Sequence, residues 1–439
     1  MDGYYAWMLV ATALVLLMTT PALALFYGGM SRSKSVLNMM MMSFISMGIV
    51  GIVYVLWGWS MSFGSKEQLG GLFTDPFELF GLKNVTSDNY IYVMFQLTFA
   101  VITAALISGA IADRVKFSAW VIFLPLWVTL SYFPLAHMVF SCADKAVICT
   151  RFGAQDYAGG TAVHINAGVA GLVLALIIGK RVGFGKEPMK PHNLTLTMLG
   201  AGLLWFGWYG FNVGSIVFGD DWTTQSGAAA NVAQFFSEAG RTFANTTIAT
   251  MAAMLGWLVI ERLLHGKATT LGAASGIVAG LVAITPACGA VDITGAIAIG
   301  AIAGGVCAWA VGLKYKFGLD DSLDVVGVHL VGGIVGTILI GLFSVSAGAG
   351  GVDGLFHGGG WSSLWNQTRG AGFAILWSGV ATAILGFAIK YTIGWRINPE
   401  AEVDGIDFAE HGESAYDLAA GSGFSGSSAL SASKEGVHA

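Results

Sequence analysis

The chain has 439 residues, of which 55% are hydrophobic and only 11% are charged. Soluble domains are about one quarter charged, so this composition indicates that lipid, rather than water, covers much of the surface. The net charge of −5, without a basic stripe or a Walker-type loop, gives no case for a nucleic-acid partner.

Apolar stretches recur along the chain and indicate the fold. A membrane-spanning helix needs roughly 20 apolar residues, because about 30 Å of hydrocarbon is crossed at about 1.5 Å per residue. We therefore predict an all-α polytopic membrane protein with eleven transmembrane helices. In chain order they are residues 6–28, 36–62, 90–112, 118–140, 159–179, 194–216, 241–264, 268–288, 294–313, 325–343 and 370–395. The first has no basic segment before it, so we interpret it as a membrane helix rather than a cleaved signal peptide.

The basic residues indicate the orientation of these helices. Twelve lysines and arginines lie in one set of connecting loops and six in the opposite set. Because cytoplasmic loops carry the excess of positive charge, the N-terminus is predicted to lie outside the plasma (inner) membrane and the C-terminus in the cytoplasm. Residues 1–395 then form a transmembrane domain and residues 396–439 a cytoplasmic tail. The Gly/Ser/Ala-rich end of this tail is predicted to be disordered in isolation.

An internal repeat links the fifth and tenth predicted helices. "VHINAGVAG" (163–171) and "VHLVGGIVG" (328–336) share Val-His and then glycines four and seven residues after the histidine. Units of five helices must have opposite orientations in a membrane. We therefore predict two inverted five-helix repeats, about 6–179 and 194–343, followed by a final helix at 370–395.

The two histidines of this repeat, His164 and His329, are predicted to approach each other between the halves. In an α-helix, residues four and seven positions apart share a face, so the glycines would let another helix come close. Two neutral imidazoles can share a hydrogen bond and still offer a nitrogen to a small solute. The alternative is two separate structural histidines. A metal site needs three or four ligands, and no nearby cysteine or glutamate supplies them, so neither a metal nor a cofactor is expected.

Two acidic residues precede these histidine helices. Asp156 comes before the fifth predicted helix and Asp324 before the tenth, where a carboxylate accepts backbone N–H groups and meets the favourable end of the helix dipole. A structural cap is the expectation for Asp324. Asp156 is predicted either to cap its helix or to attract a cation at an outer vestibule.

Aromatic residues provide the third set of candidates. Phe99 lies on the third predicted helix, and Phe211 and Ser215 share a face near the outer end of the sixth. Aromatic faces with one hydroxyl suit a small ammonium ion, through cation–π attraction and a hydrogen bond. The alternative for each phenylalanine is packing or lipid contact.

The chain resembles the ammonium transporter family over nearly its whole length. The motifs that carry the resemblance are "FYGGM", "TFAVITAALISGAIADRVKFSAW", "DYAGGTAVHINAG", "GWYGFNVGS" and "DDSLDVVGVHLVGG". The resemblance implies an eleven-helix homotrimer with one pore in each subunit, and a tail that responds to PII-type signalling proteins.

The resemblance also implies roles for individual residues. Phe99 and Phe211 resemble the family's stacked outer gate, and Ser215 the hydroxyl of its outer ammonium site. His164 and His329 resemble its twin pore histidines. Asp156 resembles its outer acidic residue, which supports recruitment and deprotonation.

The chain departs from the family at the end of the fourth predicted helix. The family commonly has tryptophan after "AHMV", whereas this chain has Phe140, which keeps a smaller π face and lacks the indole N–H. Phe140 is therefore expected to complete the outer site with altered affinity and altered discrimination against methylammonium. The loop that follows holds Cys142 and Cys149, which outside the cell can pair as a disulfide or remain free thiols.

Together these features predict capture of ammonium outside, deprotonation near the gate and passage of ammonia along the histidines, with the proton carried as well, so that transport is electrogenic. Two alternatives remain: an electroneutral ammonia or carbon dioxide channel of the Rhesus type, and an ammonium sensor that acts through the tail. A membrane enzyme is disfavoured, because no nucleophile–base set stands out in the sequence.

Overall fold

The computed structural model of the protein describes residues 2–187, 189–218 and 224–416. Ten of its helical segments are apolar and long enough to cross a membrane, and several combine α-helix with π-helical turns. These segments are Gly3–Met30, Val36–Phe63, Ser87–Ile111, Phe117–Ser141, Gly160–Ile178, Leu194–Val213, Gln225–His265, Ile293–Phe317, Val326–Phe343 and Trp361–Thr392. The apolar helix Thr270–Ile284 is shorter. Counting it as the eighth, we refer to the first through eleventh segments in chain order.

The predicted all-α fold class is confirmed, and each predicted helix coincides with one of these segments. The count of eleven membrane crossings is not confirmed, because the eighth segment has 15 residues. That is fewer than the roughly 20 residues that a straight crossing needs.

Two helices begin well before the predicted membrane-spanning stretches. The seventh segment begins at Gln225 rather than near residue 241, and the eleventh begins at Trp361 rather than near residue 370. The additional turns contain polar residues, which a hydropathy pattern excludes although they form helix readily. The side chain of Thr224 accepts the backbone N–H of Gly227 at 3.0 Å and so caps the earlier start.

Small residues allow the long segments to pack closely. A Cβ atom added at Gly300 would lie 2.1 Å from the carbonyl oxygen of Ala249, and one at Gly304 would lie 2.1 Å from that of Ala253. Only glycine permits this approach of the ninth segment to the seventh.

The fifth and tenth segments meet in the same way. A Cβ atom added at Gly168 would lie 2.5 Å from the backbone nitrogen of Leu330, and one at Gly333 would lie 3.1 Å from the carbonyl oxygen of Gly160. These contacts bring the first turns of the two segments, and with them the two histidines, into one region of the interior.

Both histidines lie in π-helical turns. His164 belongs to Gly160–Ile165 and His329 to Val326–Leu330, and α-helix follows in each segment. A π turn is wider than an α turn, so the α-helical spacing used to place the histidine faces does not hold within these turns.

The ends of the molecule carry short elements. Strands Glu67–Gln68 and Phe73–Thr74 form an antiparallel pair, and Val147–Arg151, Phe80–Leu82 and Leu355–His357 are short helical turns. In the tail, α-helix Pro399–Asp404 is followed by the π turn Asp407–His411.

Two tail carboxylates hold the tail against the membrane segments. Asp407 accepts the backbone N–H groups of Leu37 (3.0 Å) and Asn38 (2.8 Å), and Glu410 accepts that of Phe117 (2.9 Å). The tail therefore caps the starts of the second and fourth segments. Residues 417–439, on which the predicted disorder falls, lie outside the described residues.

Candidate functional site

A cavity of about 480 Å³ opens at the end of the molecule predicted to face outward. We call it the vestibule. Among the described residues that line it, two are carboxylates and none is lysine, arginine or histidine. Its polar and aromatic lining includes Gln96, Phe99, Phe140, Asp156, Tyr157, Ser215, Gln234 and Glu238. Its fixed charge is thus negative, which favours cations.

A pair of stacked rings closes the inner end of the vestibule. Phe99 and Phe211 are fully buried, with ring centroids 4.0 Å apart and ring planes 11° apart. Phe140 meets Phe99 edge-on at 6.2 Å, and the Ser215 hydroxyl donates to the Phe211 carbonyl at 2.8 Å. The structure therefore brings all four predicted residues together.

A second, narrow cavity lies beyond the stacked rings. Its polar lining consists of His164, His329 and Trp208, and the rest is apolar: Met18, Leu23, Phe26, Ile102, Leu106, Leu204, Phe211 and Val278. Phe99 lines the vestibule and Phe211 the inner cavity. The aromatic pair is thus the partition between the two spaces.

The two histidine rings are in direct contact. Their Nδ1 atoms lie 3.3 Å apart, and both side chains are almost completely buried. A hydrogen bond at this distance requires one Nδ1 to carry a proton and the other to accept it. His164 Nε2 has no protein partner within the described part of the chain, so it remains able to bond a small solute.

Trp208 supports the histidine pair and was missed by sequence reasoning. Its indole stacks on His164 with centroids 5.4 Å apart and planes 20° apart, and its Nε1 donates to the Thr285 hydroxyl at 2.7 Å. Thr285 in turn contacts the amide oxygen of Asn212 at 3.3 Å. The sequence did carry one indication of its role. Trp208 lies three residues before Phe211 on the same helix, so the two side chains share a face.

Asp156 caps the fifth segment. It accepts the backbone N–H groups of Gly159, Gly160 and Thr161, each at 2.7 Å, and also the Thr161 hydroxyl. A carboxylate offers about four acceptor positions, so these donors occupy all of them.

The predicted cap of the tenth segment at Asp324 is wrong. Asp324 instead pairs with Lys314, with the two charged atoms 2.6 Å apart. The backbone N–H groups of Val325 (3.0 Å) and Val326 (2.8 Å) donate to Asp321. Asp321 lies eight residues before His329, as Asp156 lies eight before His164, so the repeat pairs these two residues. Burial, and next the Asp324 carboxylate, raise the pKa of Asp321.

Comparison with known proteins identifies the family. Residues 6–416 match the model of the Ammonium Transporter Family. The chain belongs to this family.

Individual relatives agree with this assignment. An ammonium transporter of Mycobacterium tuberculosis is 52% identical over 455 residues, covering 96% of this chain and 91% of that protein. The crystal structure of Saccharomyces cerevisiae Mep2 superposes with a TM-score of 0.80 at 32% identity, covering 90% of this chain and 88% of that one. A structure described as a sensor Amt protein gives a TM-score of 0.79 at 25% identity, covering 93% and 98%. Membership makes this protein a multi-pass membrane transporter rather than an enzyme.

Two cysteines of this transporter, Cys142 and Cys149, line the vestibule. The structure joins Cys142 and Cys149 as a disulfide, with Cα atoms 5.3 Å apart. Cys142 lies two residues after Phe140, just past the end of the fourth segment. The bond joins it to the short helix Val147–Arg151, which contains Cys149. Cys288 and Cys307 are buried free thiols, which pack as small apolar side chains do.

Proposed function

We propose that this protein takes up ammonium in the vestibule, removes its proton at the aromatic gate and conducts ammonia along the paired histidines. The observation that carries the proposal is the Phe99–Phe211 partition, which separates a cavity with negative fixed charge from an apolar cavity lined by two imidazoles. The two spaces suit the charged and neutral forms of one solute.

The vestibule suits the charged form. A cation is attracted by its carboxylates and by the ring faces of Phe99 and Phe140, while Ser215 supplies a hydroxyl oxygen. Aromatic faces compensate only partly for lost water, so the ion reaches the gate partly dehydrated.

The inner cavity suits the neutral form. A bare charge in an apolar space is strongly disfavoured, and desolvation lowers the pKa of an ammonium ion. Ammonia can exchange hydrogen bonds with His164 and His329, which offer the polar contacts that the surrounding apolar side chains lack. Potassium has no proton to lose, so the same barrier excludes it.

Several finer features belong to this proposal. The proton released at the gate passes to water in the vestibule and crosses the membrane by a route separate from that of the ammonia, which makes transport electrogenic. The two five-helix units form inverted repeats. The N-terminus lies outside the membrane and the tail inside, where PII-type proteins bind. Three copies of the chain assemble, each with its own pore.

A current measurement on the purified protein in liposomes tests the mechanism. An ammonium pulse is applied to wild type and to the double variant His164→Ala/His329→Ala, with potassium as the comparison ion. We expect a wild-type current that the double variant abolishes or makes unselective. Thr368→Ala, an exposed hydroxyl on the eleventh segment away from both cavities, serves as the control and should leave the current unchanged.

The alternatives predict different results in the same vesicles. Ammonia entry seen by an internal pH indicator without any current would favour the electroneutral channel. Ammonium binding without flux would favour a sensor.

A further inference from the structure

Glu238 is the second carboxylate of the vestibule, beside Asp156. It lies on the polar first turns of the seventh segment, is 8% exposed and lines the cavity. Its Oε1 accepts the Tyr157 hydroxyl at 2.7 Å and its Oε2 accepts the Gln234 amide at 2.9 Å. Burial, and next the Glu238 charge, raise the pKa of Tyr157 well above its usual value, so the phenol keeps its proton and acts as the donor.

Hydrogen-bond counting separates the two vestibule carboxylates. Asp156 has its acceptor positions filled by backbone and hydroxyl donors from its own helix start. Glu238 has one donor on each oxygen among the described residues, which leaves about two of its four acceptor positions open. Glu238 is therefore the carboxylate that can accept N–H groups from a solute.

A second unpaired acceptor belongs to Gln96, a residue that lines the same cavity. Gln96 is 7% exposed, and its Oε1 is buried with no partner in the part of the chain that the structure describes. Its amide nitrogen contacts the Tyr92 hydroxyl at 3.4 Å, so the oxygen is the unused end. Gln96 lies three residues before Phe99, on the vestibule side of the gate.

We propose that Glu238 and Gln96 form an ammonium-docking position in the vestibule, ahead of the site at Phe99, Phe140 and Ser215. The proposal rests on the proposed function. An ammonium ion carries four N–H donors and no acceptor, so open carboxylate and amide oxygens match it. The cavity is large enough for the ion to keep part of its water shell at this position.

The test is the ammonium concentration that gives half of the maximal current, measured in liposomes with ammonium chloride at two sodium chloride concentrations. Glu238→Gln keeps the side-chain shape and an acceptor for Tyr157 but removes the charge. We expect it to raise the half-saturating concentration about five- to tenfold at ~0.01 M salt and less at ~1 M, where charges are screened within about 3 Å. The maximal current should change less than about twofold, as the gate and histidines are untouched.

Two further variants separate docking from a structural role. Glu78→Gln removes a carboxylate that binds the backbone at Ser65 and does not line the vestibule, and it should have no effect on half-saturation. Tyr157→Phe removes the hydroxyl contact while keeping the charge. It should not raise the half-saturating concentration, whereas an equal rise in Tyr157→Phe and Glu238→Gln would overturn the proposal in favour of a structural pair.

Gln96→Leu tests the docking position independently, also if Glu238→Gln does not fold. Loss of the open amide oxygen should raise the half-saturating concentration about threefold at either salt concentration. Wild-type current with unchanged half-saturation in both variants would overturn the docking position alone. Absence of any ammonium current or ammonia entry in wild type would overturn the proposed function with it.

Discussion

At the start of the fifth segment Asp156 accepts four backbone N–H groups, three at 2.7 Å and that of Ala162 at 3.4 Å, whereas at the start of the tenth Asp321 accepts two. Each carboxylate lies eight residues before a histidine, and each histidine lies in a π turn. Both segments therefore begin with the same arrangement of a capping aspartate and a histidine in a π turn. The surroundings differ, because Asp156 lines the vestibule while Asp321 is 2% exposed.

The two aspartates also differ in the charge of their neighbours, and Lys314 makes this difference. It binds the Asp324 carboxylate at 2.6 Å and the Asp321 carbonyl at 3.1 Å, which places a positive charge beside the inner pair of acids. No basic side chain lines the vestibule among the residues described there. The same kind of helix cap thus occurs in two different surroundings. Only Asp156, which has no basic side chain beside it in the described lining of the vestibule, is suited to attract ammonium.

The largest expected effect comes from removing the outer cap. Asp156→Ala leaves the N–H groups of Gly159, Gly160 and Thr161 without their acceptor, so the π turn that holds His164 should reorganise. We expect a loss of about 3 kcal/mol of stability and at least a tenfold loss of ammonium current. Thermal unfolding in detergent and liposome currents measure the two effects.

The matched control at this position is Asp156→Asn, which keeps one oxygen to accept the N–H groups and should retain more stability than the alanine variant. A wild-type melting temperature for Asp156→Ala would show that the cap is not needed to hold this turn.

The successes and failures of sequence reasoning follow the physics of each feature. Hydropathy located all eleven segments because lipid contact requires continuous apolar surface over a fixed length. It could not locate the starts at Gln225 and Trp361, since helix that extends beyond the hydrocarbon has no such requirement.

The candidate site was predictable where spacing along one helix decided it. The histidine repeat and the shared face of Phe211 and Ser215 follow from local spacing, whereas the pairing of Phe99 with Phe211, on separate helices, came from the family resemblance. The inner cap was misplaced because Asp324 lies nearer the apolar run than Asp321, and only alignment of the two histidine repeats indicates the right residue. The Tyr157–Glu238 contact joins residues 81 positions apart and has no local pattern.

The next largest effect tests the inner cap. Asp321→Ala leaves two N–H groups without an acceptor, so we expect a loss of about 2 kcal/mol, less than for Asp156→Ala. Asp324→Ala should leave the cap intact and destabilise less. If Asp324→Ala lowers the melting temperature more than Asp321→Ala, the assignment of the cap to Asp321 is incorrect.

A smaller effect is expected from the ion pair that distinguishes the inner end. Lys314→Met and Asp324→Asn each break the pair, and a double-mutant cycle should give a coupling of about 1 kcal/mol, because both side chains are partly buried. Melting temperatures of the four proteins give the coupling. Additive effects would mean that the ion pair does not stabilise the protein.

The smallest expected effect concerns the aromatic wall of the outer end. Phe140 is half-buried, lines the vestibule and lies 6.2 Å from Phe99 with the two ring planes nearly perpendicular. Phe140→Trp enlarges the π surface and adds an N–H group, which should strengthen cation binding by about 0.5–1 kcal/mol. The half-saturating ammonium concentration should fall about two- to fivefold.

Phe152→Trp makes the same exchange in the loop that follows, where the ring packs on Phe373 and does not line the vestibule, and it should leave half-saturation unchanged. The effect of Phe140→Trp should persist at high salt, because a ring quadrupole acts at contact distance and is hardly screened. A carboxylate that attracts the ion through solvent loses its effect under the same conditions. If raising the salt concentration removes the gain in affinity of Phe140→Trp, the indole acts indirectly, through the charged groups of the vestibule. In that case ammonium does not bind against the ring of residue 140.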